Sequence, residues 1–370
     1  MKKTIIIYIG FLLIIALISC KNQTEVKKEN THVLDSFLVK KSELKLTFHQ
    51  SLPERILSNK NYKGDFENWK KETLQKFAEL TGYQVPAERE VTTLREIVFE
   101  GITIHVLIMK VSENLTIPAY LLEPKDTIKG AVMAIHGHGS VEPMIGLRDD
   151  YHHKFALELA KEGYMVLAPE LRGFSTLADL ALQEKIDRLD YWVPNSHYTL
   201  VTDGLLHGKT LIGETIIDLV AWENWFFSKY DFKTIDVAGI SYGGDLALYY
   251  PVFSNKVRRI YASGSLGSFV GIFSRCYNAP AHCIPNILKW MDRSDIAGLN
   301  LPRPIMLHYG ELDTPSENNH SAAYNESVEP SIMELKSIYQ QKNAGGQISL
   351  YVTPNKHHEM DIENLLSFLK

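Results

Sequence analysis

Cysteine is scarce in this chain, which has 3 cysteines in 370 residues. Cys276 and Cys283 are near each other in sequence, so in an exported protein they either form a disulfide or stay as two reduced thiols, and the sequence leaves both open. Lysine and arginine form no cluster interleaved with aromatic residues, and the formal net charge is -5, which argues against a nucleic-acid partner. The chain also has no internal repeat and no low-complexity tract.

What remains is the composition of an ordinary globular protein, with 45% hydrophobic and 22% charged residues. This balance excludes a disordered chain and a multi-pass membrane protein, and the length accommodates one large α/β domain with additions. The glycine-rich segment at 239–244 lacks the GxGxxG spacing of a dinucleotide-binding loop, so no nucleotide or redox cofactor is expected.

The N-terminus has the features of a secretory signal. It starts with two lysines, and the apolar run Ile5–Ile18 that follows is too short for a spanning helix. The run leads into Ser19 and Cys20, a small residue directly before a cysteine, which is similar to a bacterial lipoprotein box. That resemblance implies cleavage after residue 19, acylation of Cys20 and a polar tether over residues 20–32. We therefore expect a lipid-anchored protein of the bacterial cell envelope, with an uncleaved N-terminal anchor helix as the alternative.

The segment Gly239–Gly243 fits the G-x-S-x-G pattern in the context that this pattern requires. A strand signal at 234–238 precedes it, and a helix signal at 245–250 follows it. A serine in so sharp a strand-to-helix turn has a strained backbone that exposes its Oγ above the sheet edge. The flanking glycines are needed because a Cβ there would collide with the neighbouring strand or helix. The sequence therefore predicts a nucleophile elbow at Ser241, with a glycine-rich surface turn as the alternative.

Hydrophobic periodicity divides the rest of the chain into two regions. Residues 33–92 show a helical pattern, clearest between Phe66 and Leu80 and stopped by Gly82, which predicts a helical N-terminal extension. Over residues 93–370, antiparallel strand signals come first, and an alternation of buried strands and helices follows, with one helix predicted over His152–Glu162. The interpretation is an α/β fold with a mainly parallel, doubly wound sheet and lid insertions between its elements.

Further segments lie where a serine hydrolase needs them. The loop His136–Ser140 follows a buried strand, and its backbone N–H groups, with that of Tyr242, are expected to stabilise a tetrahedral oxyanion. Two histidines spaced two apart in this loop also fit a zinc site, but no third ligand of matching spacing accompanies them, so no metal is expected. Asp313 follows a later strand signal, and His357 and His358 precede the last helix. The order Ser, Asp, His is the one that α/β-hydrolases use.

The chain resembles the dienelactone-hydrolase and acetylxylan-esterase-like group of α/β-hydrolases over about residues 93–370. The resemblance rests on segments within 136–139, 168–174, 239–244, 295–304 and 310–313. It implies that Ser241 is the nucleophile, Asp313 the orienting acid and His358 the base.

The same resemblance implies roles for neighbouring residues. The N–H of His138 would supply the oxyanion site together with that of Tyr242, and Arg172 would be a structural residue paired with an acid. His357 is the alternative base, because the Lys356-His357-His358 turn departs from the Gly-Gly-His-like turn that is common in the group.

Specificity is expected to come from two insertions above the serine, one between about 169 and 214 and one over 267–295. Aromatic rings stack on sugar rings. We therefore expect a serine esterase that cleaves acyl or methyl esters on carbohydrates, with a small-molecule or glycan ester as its substrate. The candidate substrate-binding residues are Tyr191, Trp192, His197 and Trp290. Packing of the insertions themselves is the alternative for each one.

Two rival functions belong to other classes. A serine peptidase of the prolyl-oligopeptidase type shares the fold and the triad, but the chain lacks the length for a propeller domain. A non-catalytic glycan-binding lipoprotein would not need a complete set of catalytic residues.

Overall fold

The computed structural model describes residues 54–179, 197–273, 280–316 and 322–370 of the chain. A sheet of nine strands runs through these residues. In chain order the strands are β1 (Val91–Phe99), β2 (Ile102–Lys110), β3 (Thr116–Glu123), β4 (Gly130–Ile135), β5 (Tyr164–Pro169), β6 (Ile235–Ile240), β7 (Val257–Ser263), β8 (Ile305–Gly310) and β9 (Ile348–Thr353).

The spatial order of the strands is β1-β2-β3-β5-β4-β6-β7-β8-β9. The strands β1, β2, β3 and β5 pair antiparallel, and every pair from β5 to β9 is parallel. The central strands β5 and β6 are buried along their whole length, because parallel strands are covered by helices on both faces. The mainly parallel, doubly wound sheet that the sequence predicts is therefore confirmed.

Helices cover both faces of this sheet. Within the described residues they are α1 (Phe66–Thr81), α2 (Phe155–Lys161), α3 (His197–Leu206), α4 (Leu211–Lys229), α5 (Tyr242–Tyr249), α6 (Phe269–Phe273), α7 (Arg293–Gly298), α8 (Val328–Gln340) and α9 (Ile362–Leu369). One buried core includes side chains of α1, α4, α5, α7 and α8, and a second core on the opposite face includes those of α2 and α9. In this part of the chain, no helix is long and apolar enough to cross a membrane.

The helix α1 begins and ends as its sequence indicates. The Asp65 side chain accepts the Asn68 N–H at the N-terminus, and Gly82 ends the helix with a φ of 73°. Trp69 and Phe77 are fully buried, so α1 belongs to the core of the same unit as the sheet. Residues 33–53 of the expected extension lie outside the described residues, and a domain boundary at residue 93 stays a prediction.

One helix starts later than its pattern predicts. The periodicity places a helix start at His152, but α2 begins at Phe155. His153 and Lys154 have φ values of 50° and 58°, which lie in the left-handed region and cannot continue an α-helix. Residues 150–153 therefore form a separate turn ahead of α2.

Candidate active site

Ser241 lies in the sharp turn from β6 to α5, where the sequence predicts a strained strand-to-helix turn. Its backbone has φ 60° and ψ -123°, a conformation that is costly for a residue with a side chain. A Cβ on Gly239 would lie 2.1 Å from the Gly243 carbonyl oxygen, and a Cβ on Gly243 would lie 2.2 Å from that of Ile135. These contacts require glycine at both positions, because at Gly239 the turn folds back on its own backbone and at Gly243 it packs directly against the end of β4.

Asp313 and His358 meet beside this turn. Asp313 follows β8 and is fully buried, and its Oδ2 lies 2.6 Å from Nδ1 of His358. The Ala323 N–H donates to the other carboxylate oxygen at 3.2 Å, which fixes the orientation of the acid. His357, the alternative base, has an exposed side chain. Of the two adjacent histidines, the structure therefore brings His358 into contact with the acid.

The His358 ring lies on the backbone that also holds Ser241. A Cβ on Gly264 would lie 2.5 Å from Cε1 of His358. Ser263, the residue before Gly264, accepts the Ser241 N–H at 2.9 Å through its carbonyl oxygen. Nε2 of His358 is buried and makes no hydrogen bond within the described residues. With Nδ1 held by the acid, this second nitrogen is the atom that can take a proton from a nucleophile.

The predicted oxyanion loop lies directly against the serine. A Cβ on Gly137 would be 2.9 Å from the Cβ of Ser241, so the loop backbone passes over the elbow. Tyr242 is the first residue of α5, and an N–H in the first turn of a helix has no carbonyl within that helix to donate to. The His138 ring packs 5.4 Å from the Tyr242 ring. Both predicted oxyanion residues are therefore adjacent to Ser241.

A buried polar cluster packs against the His138 ring of this loop. The rings of His138 and His282 stack at 5.1 Å, and Nδ1 of His282 lies 2.7 Å from the Asp245 carboxylate. Arg293 forms an ion pair with the other oxygen of Asp245. Burial lowers the pKa of His282 to about 3, so its ring is neutral. His282, which belongs to the second insertion, is part of the packing beneath the oxyanion loop.

Arg172 has the structural role that the resemblance implies. Its guanidinium makes two hydrogen bonds to Asp218 on α4, at 2.6 and 3.1 Å, and an ion pair with Glu214 at 3.0 Å. The side chain is nearly buried, and paired acids on two sides satisfy its charge. Arg172 thus ties the segment after β5 to α4.

A second network of hydrogen-bonded side chains leads toward the loop that carries His358. Ser263 Oγ lies 2.7 Å from Nδ1 of His308, and Nε2 of His308 lies 2.9 Å from Oγ1 of Thr353. Thr353 in turn donates to Asp361 at 2.6 Å. Asp361 caps α9, whose start directly follows the loop that carries His358. The chain thus links the ends of β7, β8 and β9 to that loop, and burial lowers the pKa of His308 to about 4.

The candidate substrate-binding residues are described only in part. Tyr191 and Trp192 lie outside the described residues, and so does Cys20, the predicted site of acylation. His197 is the first residue of α3, and its side chain is likewise outside the description. Trp290 is half-buried, and the ammonium groups of Lys76 and Lys289 lie 4.2 and 5.4 Å from the centre of its ring. Its contact with Lys76 puts this ring against α1.

Two residues of the site carried no recognisable signal in the sequence. Tyr151 and His152 follow the oxyanion loop and contact its backbone at His138 and Gly137. Their only sequence feature is a pair of histidines after a tyrosine, which fits a surface turn equally well. Across the described ranges, no group of three His, Cys, Asp or Glu side chains could hold a metal ion.

Several solved structures share this architecture. A candidate acetyl xylan esterase from Bacteroides fragilis aligns with a TM-score of 0.61 at 17% identity, over 78% of this chain and 75% of that one. A glucuronoyl esterase from Solibacter usitatus aligns with a TM-score of 0.60 at 12% identity, over 88% and 98% of the two chains. A methylesterase aligns with a TM-score of 0.58 at 15% identity, over 84% and 65%. No protein-family model and no curated protein matches the chain.

These identities are low, so the likeness establishes the fold alone. The strand order, the elbow after β6 and the structural neighbours together define an α/β-hydrolase fold.

Proposed function

We propose that this chain is a serine esterase that hydrolyses carboxylic esters through Ser241, His358 and Asp313. One observation carries the proposal. The strained Ser241 and the ring of His358 lie against the same backbone segment, Ser263-Gly264, and Nδ1 of His358 lies 2.6 Å from the buried Asp313 carboxylate. A surface turn has no need of that strain, and a binding protein has no need of an oriented imidazole beside a serine.

The proposed reaction follows from these contacts. Nε2 of His358 takes the proton of the Ser241 hydroxyl as the oxygen attacks the ester carbonyl carbon, and Asp313 stabilises the imidazolium that forms. The negative charge moves to the carbonyl oxygen, which the N–H groups of His138 and Tyr242 stabilise. The imidazolium then protonates the leaving alkoxide, and the acyl group stays on Ser241. Water, deprotonated by His358, releases the acid and restores the serine.

The proposed substrates are acyl or methyl esters carried by carbohydrates. The structural neighbours that support this class are an acetyl xylan esterase candidate, glucuronoyl esterases and a methylesterase. Their names give different ester groups, which are acetyl, glucuronoyl and methyl, so they support the substrate class and leave the leaving group open.

A panel of esters tests this proposal. The protein is assayed with p-nitrophenyl acetate, acetylated xylan oligomers, feruloyl esters and methyl glucuronate esters, and we expect hydrolysis of at least one carbohydrate ester. Ser241→Ala abolishes the activity, whereas Ser228→Ala, at an exposed position near the end of α4, leaves it unchanged. Hydrolysis that persists in Ser241→Ala, or no ester hydrolysis by the folded wild type, contradicts the proposal.

We also infer that the chain is exported and anchored by a lipid on Cys20. The support is the charged start, the apolar run Ile5–Ile18 and the Ser19-Cys20 junction. Expressed in a bacterium, the wild type partitions into the detergent phase, and Cys20→Ala does not yield the mature acylated form. An N-terminal peptide found by mass spectrometry without an acyl group on Cys20 contradicts the inference.

A further inference from the structure

A four-residue turn, Asp150-Tyr151-His152-His153, contacts both sides of the proposed active site, and we call it the bridge segment. It ends in backbone strain, since His153 and the following Lys154 have φ values of 50° and 58°. Left-handed conformations at non-glycine residues persist only where surrounding contacts hold them, and they cluster at functional sites. The contacts of the bridge segment indicate which parts of the site this conformation holds in place.

On one side, the bridge segment holds the backbone of the oxyanion loop. The Gly137 N–H donates to Nε2 of His152 at 2.9 Å. The Tyr151 hydroxyl donates to the His138 carbonyl oxygen at 2.6 Å. Between these two, Nδ1 of His136 lies 2.7 Å from the Gly137 carbonyl oxygen. Three consecutive peptide groups of the loop are thus each held by a side chain.

The middle peptide group of these three carries the proposed oxyanion donor. It joins Gly137 to His138, and in a trans peptide the His138 N–H points opposite to the Gly137 carbonyl. Fixing the peptide groups on both sides fixes the direction of this N–H. A hydrogen bond to the carbonyl end also polarises the N–H end, because hydrogen bonds in a chain strengthen one another.

The His152 ring has a defined tautomer in this arrangement. Since Nε2 accepts the Gly137 N–H, the ring proton is on Nδ1, which lies 2.7 Å from the Asp150 carboxylate. The ring is fully buried, so the acceptor cannot be replaced by solvent without opening the loop. Asp150 orients His152 in the same way that Asp313 orients His358.

On its other side, the bridge segment holds the loop of the proposed base. The Met360 N–H donates to the Tyr151 carbonyl oxygen at 2.9 Å, and Nε2 of His153 lies 2.5 Å from the Glu359 carboxylate. The Tyr151 ring centre is 5.5 Å from that of His358. A Cβ on Gly137 would lie 2.3 Å from the Tyr151 hydroxyl oxygen and 2.9 Å from the Cβ of Ser241, so both side chains lie against the same glycine. One short segment therefore contacts the oxyanion loop beside the serine and also contacts the base loop.

We propose that Tyr151 and His152 are positioning residues that set the oxyanion N–H of His138 relative to Ser241 and His358. The inference rests on the proposed esterase function. Removing one oxyanion donor outright costs about 100- to 1000-fold in kcat in a serine hydrolase, so a misdirected donor is expected to cost about 10- to 100-fold. The loss falls on kcat, with KM little changed, because the donor acts on charge that develops only in the transition state.

Three variants test the proposal. Tyr151→Phe keeps the ring and the backbone hydrogen bonds but loses the hydroxyl, His152→Leu loses the acceptor, and His152→Gln keeps an acceptor oxygen. We expect kcat to fall about 10- to 100-fold in the first two and to recover to within about fivefold of wild type in His152→Gln. The affinity for an arylboronic acid, which forms a tetrahedral adduct on the serine, is expected to fall in parallel. Tyr230→Phe and His207→Gln, which lie outside the site, are the matched controls.

The outcomes separate this inference from the proposed function. If the wild type hydrolyses esters, Ser241→Ala does not, and both Tyr151→Phe and His152→Leu keep kcat and boronate affinity within twofold of wild type, the positioning role is wrong and the esterase function stands. If His152→Leu does not fold, Tyr151→Phe decides alone. If the folded wild type hydrolyses no ester, the proposed function is wrong and this inference with it.

Discussion

His358 contacts the buried acid Asp313 through Nδ1 at 2.6 Å, whereas the side chain of its neighbour His357 is exposed. Adjacent residues in a loop point in different directions, so only one of the two can lie between the acid and the serine.

We therefore expect the two histidine variants to differ. His358→Ala lowers kcat by several orders of magnitude because members of a triad act as a unit, and His357→Ala changes it by less than about threefold. Steady-state hydrolysis of p-nitrophenyl acetate by both proteins measures the difference. Turnover lost in His357→Ala and kept in His358→Ala would assign the base to the other histidine.

A second prediction concerns the acid. Asp313→Asn keeps the size of the side chain but cannot hold the imidazole in the required tautomer, so kcat is expected to fall by about 10⁴. Thermal unfolding serves as the control, since the variant must be folded for the comparison. Near-normal kcat in a folded Asp313→Asn protein is incompatible with the proposed role of this acid.

The elbow glycine gives a prediction about stability. A Cβ on Gly243 would lie 2.2 Å from the Ile135 carbonyl oxygen, and backbone atoms cannot move aside as a side-chain end can. We expect Gly243→Ala to lower the free energy of unfolding by about 1–3 kcal/mol and to lower activity as well. Gly346→Ala is the matched control, because no atom lies within 4 Å of its added Cβ. Equal urea midpoints for the two variants would show that the elbow tolerates a side chain.

Buried neutral histidines predict how stability changes with pH. Burial lowers the pKa of both His136 and His282 to about 3 and that of His308 to about 4, against about 6.5 in an unfolded chain. Below pH 6.5 the unfolded state therefore binds more protons than the native state. The free energy of unfolding falls as the pH falls, by up to about 1.4 kcal/mol per pH unit for each histidine.

Buried carboxyl groups act in the opposite direction over part of this range. Burial raises the pKa of Asp295 to about 6 and also raises those of Glu170, Glu223 and Asp292, so the native state takes up protons there and gains stability as the pH falls. The three histidines outweigh these acids between pH 7 and pH 5, because over most of this interval they are charged in the unfolded state and neutral in the native state. We therefore expect urea unfolding to give a lower free energy at pH 5 than at pH 7. A free energy that is constant or rises between pH 7 and pH 5 would contradict the neutral state of these histidines.

Much of the fold could be predicted because it depends on local patterns. Apolar runs and strand-helix alternation indicate the sheet, and the G-x-S-x-G pattern with its flanking strand and helix signals locates the turn at Ser241. The segments with Asp313 and His358 lie at strand ends, and parallel strands bring their carboxyl ends to one edge of a sheet.

The bridge segment could not be predicted for a physical reason. Its contacts join Tyr151 to His138 and to Met360, residues that no local pattern connects. Its left-handed φ values occur at His153 and Lys154, residue types for which the sequence gives no sign of such a conformation. Periodicity alone therefore extended α2 too far toward its N-terminus.

For Trp290, the sequence could not identify which group the ring contacts. An aromatic residue in an insertion suggested a surface for sugar stacking, and the structure has the ring beside Lys76 of α1. Aromatic faces attract ammonium groups as well as sugars, so composition could not distinguish the two partners. A role for Trp290 in substrate binding stays a prediction.

Covalent labelling of Ser241 tests the central claim most directly. A fluorophosphonate reacts only with a serine that a neighbouring base activates, and its phosphoryl oxygen occupies the oxyanion site. Intact-protein mass spectrometry of the wild type is expected to show a single adduct, with peptide mapping locating it on Ser241. The adduct is absent from Ser241→Ala and forms far more slowly in His358→Ala. A folded wild-type protein that stays unlabelled, or an adduct at another serine, would contradict the account.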